Sequence, residues 1–179
     1  MRRARIEQRL AGYWKMEAAN VVLVPAIALI LAASYGWTLG APSYFAMVPT
    51  CLLLAIGAHY WRAKLAQLRS GEALPRGIGF IARLQWPSAA LTGLAAVIAG
   101  ASWSVPGLAA SQADRWVSAV LALLAGLEYV NYYHRQVQHF DHWPDFLRLL
   151  AGHGFRRSQM AVDIARWHAA APGGTAPVG

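Results

Sequence analysis

The chain has 179 residues, of which 57% are hydrophobic and only 13% are charged, and its formal net charge is +8. Such an apolar composition, with a mean hydropathy of +0.34, excludes an ordinary soluble domain and points to a lipid bilayer. The positive charge does not indicate a nucleic-acid partner, because the Lys and Arg residues cluster between apolar stretches, a pattern that favours the anionic inner leaflet of a membrane as the partner.

Residues 1–17 are basic and carry apolar side chains at helical spacing, at Ile6, Leu10 and Tyr13. They predict an amphipathic helix on the cytosolic side of the membrane. The stretch is too polar before its first apolar run to be a signal peptide, so we expect it to be retained.

Four stretches are long and apolar enough to cross the hydrocarbon core, which needs about 20 such residues. These predicted spans are residues 18–36, 44–61, 84–103 and 116–133. The sequence therefore predicts an all-α, polytopic membrane protein. Its transmembrane domain is a four-helix bundle that, with cytosolic extensions of the helices, occupies residues 18–143.

The basic residues also predict the orientation of the bundle. Fifteen of the 16 Lys and Arg residues lie before the first span, between the second and third, or after the fourth, and only Arg115 lies in the other two loops. Short basic loops stay on the cytoplasmic side. We therefore predict a multi-pass protein of the plasma (inner) membrane with both termini in the cytoplasm.

The cytosolic part is predicted to be helical as well. An apolar stripe through Val137 and Phe140 extends the fourth helix past the membrane surface. Residues 144–170 then read as short helices, the last of them amphipathic with Ser158 as its N-cap. Residues 171–179 are small and rich in Pro and Gly, a composition typical of a disordered tail.

Two polar pairs repeat at the inner ends of the first and fourth spans: Glu17 with Asn20, and Glu128 with Asn131. If the two helices are neighbours, Glu17 faces Asn131 and Asn20 faces Glu128. Contacts of this kind between membrane helices contribute roughly 0.6–2 kcal/mol each, which is enough for a purely structural role. Ionisable residues at membrane depth are equally typical of functional sites, so both interpretations stay open.

Two histidines fall at similar depth and extend the functional interpretation. His59 and His134 could join the four residues in one intramembrane layer that relays a proton, holds a cation, or binds a divalent metal or a haem. Arg62 and Arg135 are the candidates to compensate the carboxylate charge. Asn in place of His at the third position of both Glu-x-x-Asn pairs weakens the metal hypothesis, because di-iron bundles use Glu-x-x-His.

A second, weak metal candidate lies on the predicted cytosolic extension, at His139, Asp141 and His142. Motifs for nucleotide binding, zinc proteolysis or Ser-His-Asp hydrolysis are absent from the sequence. We therefore expect a protein without a resident cofactor and more plausibly not an enzyme. The first hypothesis is a structural, assembly or regulatory partner that acts through its cytosolic helices, as a homo-oligomer or with another membrane protein. The alternatives are a proton- or cation-linked transporter or channel subunit, and a haem- or metal-binding redox protein.

Overall fold

The computed structural model describes residues 2–136 and 155–170. This part of the chain is all-helical, without strands, which confirms the predicted all-α class. Its helices are α1 (Arg2–Tyr35), α2 (Ala41–Ser70), α3 (Ile78–Arg83), α4 (Gln85–Ala101), α5 (Gln112–Tyr133) and α6 (Gln159–Ala170).

Two of these helices, α1 and α2, are long and apolar enough by length and composition to cross a membrane. Helix α4 has 17 residues, and at about 1.5 Å per residue it spans about 25 Å of a hydrocarbon core that is about 30 Å thick. Helix α5 is longer, but Glu128 and Asn131 lower the hydropathy of its second half. Membrane association is thus supported for two helices, and a four-span bundle stays a prediction.

Helix α2 is the centre of the bundle and packs against α1, α4 and α5. Of the apolar stretch of α2, 56% is buried inside the protein, whereas the corresponding share of α1 is 11%. Helix α1 packs mainly against α2. It therefore lies at the edge of the bundle and exposes apolar side chains such as Val22, Ile27 and Ile30.

Helices α2 and α5 run side by side in the same direction. At their first turns the Ser43 hydroxyl donates to the Asp114 backbone carbonyl at 3.1 Å. The Thr50 hydroxyl, seven residues later, donates to the Leu121 carbonyl at 3.1 Å. Each contact joins residues that are 71 positions apart. Because both helices advance by seven residues between these contacts, they stay in register, as neighbouring helices with a seven-residue repeat do.

A proline explains the boundary between α3 and α4. Pro87 has no backbone N–H, and its ring would clash with the carbonyl four residues earlier, which is that of Arg83. Helix α3 ends at Arg83 and α4 begins at Gln85. Leu84 between them keeps helical dihedrals and donates its N–H to Phe80 O at 3.2 Å. The chain thus continues through the break with one irregular residue.

The predicted cytosolic extension of the fourth helix is wrong over residues 134–136. Helix α5 ends at Tyr133, and Arg135 forms an isolated antiparallel bridge with Arg157. Gln136 N–H donates to Arg156 O at 2.9 Å, and Ser158 N–H donates to His134 O at 3.2 Å. Residues 156 and 158 therefore form hydrogen bonds with the backbone groups of residues 134 and 136 that a further helical turn would use. The remaining extension, residues 137–143, lies outside the described residues, as does the tail predicted to be disordered.

Helix α6 docks near the C-terminal end of α5, against α3 and α5. Met160 and Ile164 enter a buried cluster with Tyr60 of α2 and Ile81 of α3. The Ser158 hydroxyl accepts the Ala161 N–H at 3.0 Å, which confirms Ser158 as the N-cap. Its hydroxyl also donates to the Tyr132 carbonyl near the end of α5. One serine thus starts α6 and fastens it to α5.

Candidate functional site

The side chains of Glu17, Glu128 and Tyr132 form a buried cluster between α1 and α5. Their exposed fractions are 3%, 7% and 2%. The two carboxyl groups act on each other electrostatically, and the Tyr132 hydroxyl interacts with both. Two acidic residues separated by 111 positions in the sequence are thus brought together by a tyrosine.

Local structure explains how this cluster forms. Glu128 and Tyr132 are four residues apart on α5, so they share one face of that helix. On α2 the facing residue is Gly57, and a Cβ atom at that position would overlap the Tyr132 hydroxyl. A glycine at this point lets the phenol lie directly on the α2 backbone. Helix α1 then closes the cluster with Glu17.

The hydrogen bonding of the cluster is incomplete. The Tyr132 hydroxyl interacts with the two carboxyl groups, yet within the described part of the chain no well-aligned hydrogen bond reaches it. Burying two carboxylates side by side is costly unless a proton or a cation neutralises one of them. The cluster is therefore chemically suited to take up a proton or a small cation.

The two asparagines of the predicted layer have different surroundings. Asn131 interacts with Glu128 on its own helix. Asn20 is half-buried on α1, one turn after Glu17. Glu17 itself interacts with Tyr132 and Glu128. The carboxyl groups thus meet across the helices through a phenol, where the sequence pattern predicted facing carboxyl and amide groups.

Both histidines of the predicted layer are exposed. The His59 ring lies beside Gly77 at the start of α3, where an added Cβ would be 2.9 Å from Nε2. The His134 ring contacts Tyr129 edge-on, with ring centroids 5.4 Å apart. Within residues 2–136 and 155–170, no group of three or more metal-ligating side chains is present. His139, Asp141 and His142 lie outside the described residues.

The two predicted compensating arginines have other partners. Arg62 lies over the Trp14 ring, with its guanidinium carbon 5.9 Å from the ring centroid. Arg135 donates from Nη1 to the Phe155 carbonyl at 2.9 Å. Neither arginine is among the groups that act on Glu17 or Glu128.

A third buried carboxylate, Asp163, which the sequence pattern did not single out, holds α6 in place. Asp163 accepts hydrogen bonds from the Tyr60 hydroxyl at 2.8 Å and from Lys64 Nζ at 2.6 Å. The Asp163 side chain is 1% exposed and that of Lys64 is 20% exposed. Tyr60 and Lys64 are four residues apart on α2, so both reach the same carboxylate.

A fourth buried carboxylate, Asp114, joins the starts of α2 and α5. It accepts hydrogen bonds from the Ser43 hydroxyl and, at 3.3 Å and 2.9 Å, from the backbone N–H groups of Ser43 and Ala110. Burial alone would raise the pKa of Asp114, but the hydrogen bonds from Ser43, Ala110 and Gly40 together lower it. Its own N–H donates to the Ser111 hydroxyl, which caps α5.

Comparisons with protein-family models, with curated proteins and with solved structures gave no match for this chain.

Proposed function

We propose that this protein is a four-span protein of the inner membrane, with both termini in the cytoplasm. We further propose that it serves as a non-enzymatic structural, assembly or regulatory partner through its cytosolic helices.

The register of α2 and α5 supports the membrane arrangement. Helix α2 is long and apolar enough to cross a bilayer, and α5 follows it from Ser43 and Asp114 to Gly57 and Tyr132. The stretch of α2 from Ser43 to Gly57 covers about 21 Å at about 1.5 Å per residue. A helix that lies beside a spanning helix over this length crosses the same layer. Helix α4 packs against both helices and would return the chain between them.

The exposed apolar face of α1 fits the same arrangement. Val22 is 66% exposed, Ile27 54% and Ile30 63%. In water such a face would be an unusual apolar patch, whereas in a bilayer it contacts lipid chains or a neighbouring helix. The edge position of α1 leaves this face available.

An open groove on the cytosolic side supports the partner role. It has a volume of about 480 Å³, with Ile6 and Leu10 of α1 and Trp61 and Leu68 of α2 among its apolar lining. Lys64, Gln67 and Glu72 supply polar groups at the same groove. An apolar anchor side chain surrounded by a polar rim is the usual organisation of a protein interface.

Photo-crosslinking from this groove tests the partner role. A photoreactive residue at Leu10 or at Gln67 is expected to give a discrete protein adduct in intact membranes, whereas one at Arg83, an exposed position on α3 that does not line the groove, is not. Adducts with lipid alone, or equal protein adducts from all three positions, would contradict the proposal.

A proton- or cation-linked transporter or channel subunit is the second candidate, and the Glu17–Tyr132–Glu128 cluster is the observation that favours it. It predicts that Glu17→Gln and Glu128→Gln each abolish ion flux in proteoliposomes while the protein stays folded. Glu72→Gln, at a half-buried carboxylate outside the cluster that pairs with Arg76, is the matched control. Wild-type flux in both cluster variants would exclude this candidate.

A further inference from the structure

A basic groove lies beside Trp14, on the α1–α2 face of the molecule. Its volume is about 520 Å³, and it is lined by Trp14, Arg62, Leu65, Ala66, Arg69 and Ser70. Two arginines, one indole and a serine hydroxyl thus surround an apolar floor in a groove whose lining includes no carboxylate.

The two arginines share one side of α2, because seven residues are close to two helical turns. Arg62 lies over the Trp14 ring and forms no ion pair with a carboxylate of the described residues. Arg69 donates from Nε to Glu7 at 3.2 Å, and Glu7 is also shared with Arg3. A guanidinium has five N–H donors, so both arginines keep donors for a bound anion. The local charge is positive even after Glu7 is counted.

The level of the groove relative to the predicted spans indicates which anion it binds. Arg62 directly follows the predicted inner end of the second span, and Trp14 precedes the first span, in the aromatic belt where lipid headgroups lie. Basic pockets between membrane helices on the cytoplasmic side bind the headgroups of anionic lipids. The Leu65 and Ala66 floor offers an apolar surface for the glycerol and the first carbons of the acyl chains.

We propose that this groove is a binding site for the phosphate of an anionic phospholipid, with Arg62 and Arg69 as its ligands and Trp14 as the side wall against the glycerol region. The inference rests on the proposed membrane arrangement, because it places the groove at the level of the inner headgroups. Arginine suits this role because its planar fork matches the geometry of phosphate oxygens.

Lipid binding to the full-length protein in mild detergent tests the site, since no charged bilayer surface is present there. We expect the wild type to retain phosphatidylglycerol through purification, and to melt at a higher temperature with added phosphatidylglycerol than with phosphatidylcholine. Arg62→Gln and Arg69→Gln are each expected to retain about fivefold less, the factor that corresponds to ~1 kcal/mol per basic residue at an anionic lipid surface. Arg76→Gln removes a charge from the exposed loop outside the groove and should retain the wild-type amount.

Unchanged melting of Arg62→Gln without lipid establishes that the variant is folded. Equal retention by Arg62→Gln and Arg76→Gln would overturn the site, as would equal stabilisation of the wild type by the two lipids. Stabilisation by inorganic phosphate to the same extent as by phosphatidylglycerol would overturn the lipid as the source of the phosphate. If the wild-type protein is absent from the membrane fraction, the proposed membrane arrangement itself fails. A membrane-bound wild type without lipid preference contradicts the lipid site alone.

Discussion

Ser43 and Asp114 hold the starts of α2 and α5 at the same level, because the Ser43 hydroxyl lies within hydrogen-bonding distance of both the carboxylate and the backbone carbonyl of Asp114. Gly40 adds to this contact, because a Cβ at Gly40 would be 2.7 Å from Asp114 Oδ2. The relationship fixes the register of the two helices. It also makes Asp114 the carboxylate that joins the starts of α2 and α5.

Stability should depend on pH through Asp114. Its pKa is lowered from the ordinary value of 3.8, so the ionised side chain stabilises the fold above that value, and this contribution is lost as the pH falls through the lowered pKa of the folded state. Asp114→Asn is expected to cost about 1.5–3 kcal/mol near neutral pH, the range for hydrogen bonds to a charged group. It should also flatten the fall in stability below about pH 4. Thermal melting in detergent between neutral pH and pH 3 measures both, and an unchanged acid profile in the variant would contradict the assignment.

Gly57→Ala should destabilise the bundle, because the new methyl group would overlap the Tyr132 hydroxyl. Overpacking of a close contact costs about 1–3 kcal/mol. Gly93→Ala on α4 is the matched control, since no atom lies within 4 Å of a Cβ there. Alanine is the better helix former, so the control should be neutral or slightly stabilising. Equal melting temperatures for the two variants would disprove the close approach of Tyr132 to α2.

The buried cluster should be visible as an energetic coupling between helices. In a double-mutant cycle, Glu17→Gln and Tyr132→Phe are expected to be non-additive by about 0.5–2 kcal/mol, as interacting polar groups between membrane helices are. The pair Glu7→Gln and Tyr132→Phe is the control, because Glu7 binds Arg3 and Arg69 elsewhere on α1. Additive effects in the first cycle would show that α1 does not meet α5 through these side chains.

The docking of α6 should depend on Asp163. Asp163→Asn removes the charge that binds Lys64 and is expected to cost about 1.5–3 kcal/mol, which should make α6 more sensitive to limited proteolysis. Arg166→Gln is the control, because this pair is 3.8 Å long and the arginine side chain is 66% exposed. Such pairs contribute about 0–1 kcal/mol. Equal proteolysis rates in the wild type and Asp163→Asn would contradict the claim that Asp163 holds α6 against the bundle.

The apolar periodicity predicted the helices well. A helix that packs in a bundle or a bilayer needs apolar side chains at a regular local spacing, and this spacing is visible in the sequence. Ser158 was found as an N-cap for the same reason, since capping is decided within one helical turn. The end of α5 was not found, because the backbone groups of His134 and Gln136 are taken by residues that lie about 20 positions further along. The sequence around residue 134 carries no sign of a contact with residues so far along the chain.

The candidate site was predicted only in part. Glu17 and Glu128 were singled out by their depth, and the structure brings them together. Tyr132 was overlooked, although its position four residues after Glu128 places both on one face of α5. The Lys64–Asp163 pair joins residues 99 positions apart and is decided by how α6 docks, so sequence alone carries no signal for it.

Cysteine labelling of the loops tests whether four helices cross the membrane, and the position at Ser104 separates this arrangement from one with two spans. With Cys51 replaced by serine, single cysteines at Thr38, Ala73 and Ser104 are treated with a membrane-impermeant thiol reagent on intact spheroplasts. With four spans, we expect the Thr38→Cys and Ser104→Cys variants to be labelled from outside, and Ala73→Cys only after permeabilisation. If only α1 and α2 cross, Thr38→Cys alone is labelled. Protection of the Ser104→Cys variant together with Ala73→Cys would therefore contradict the four-span arrangement.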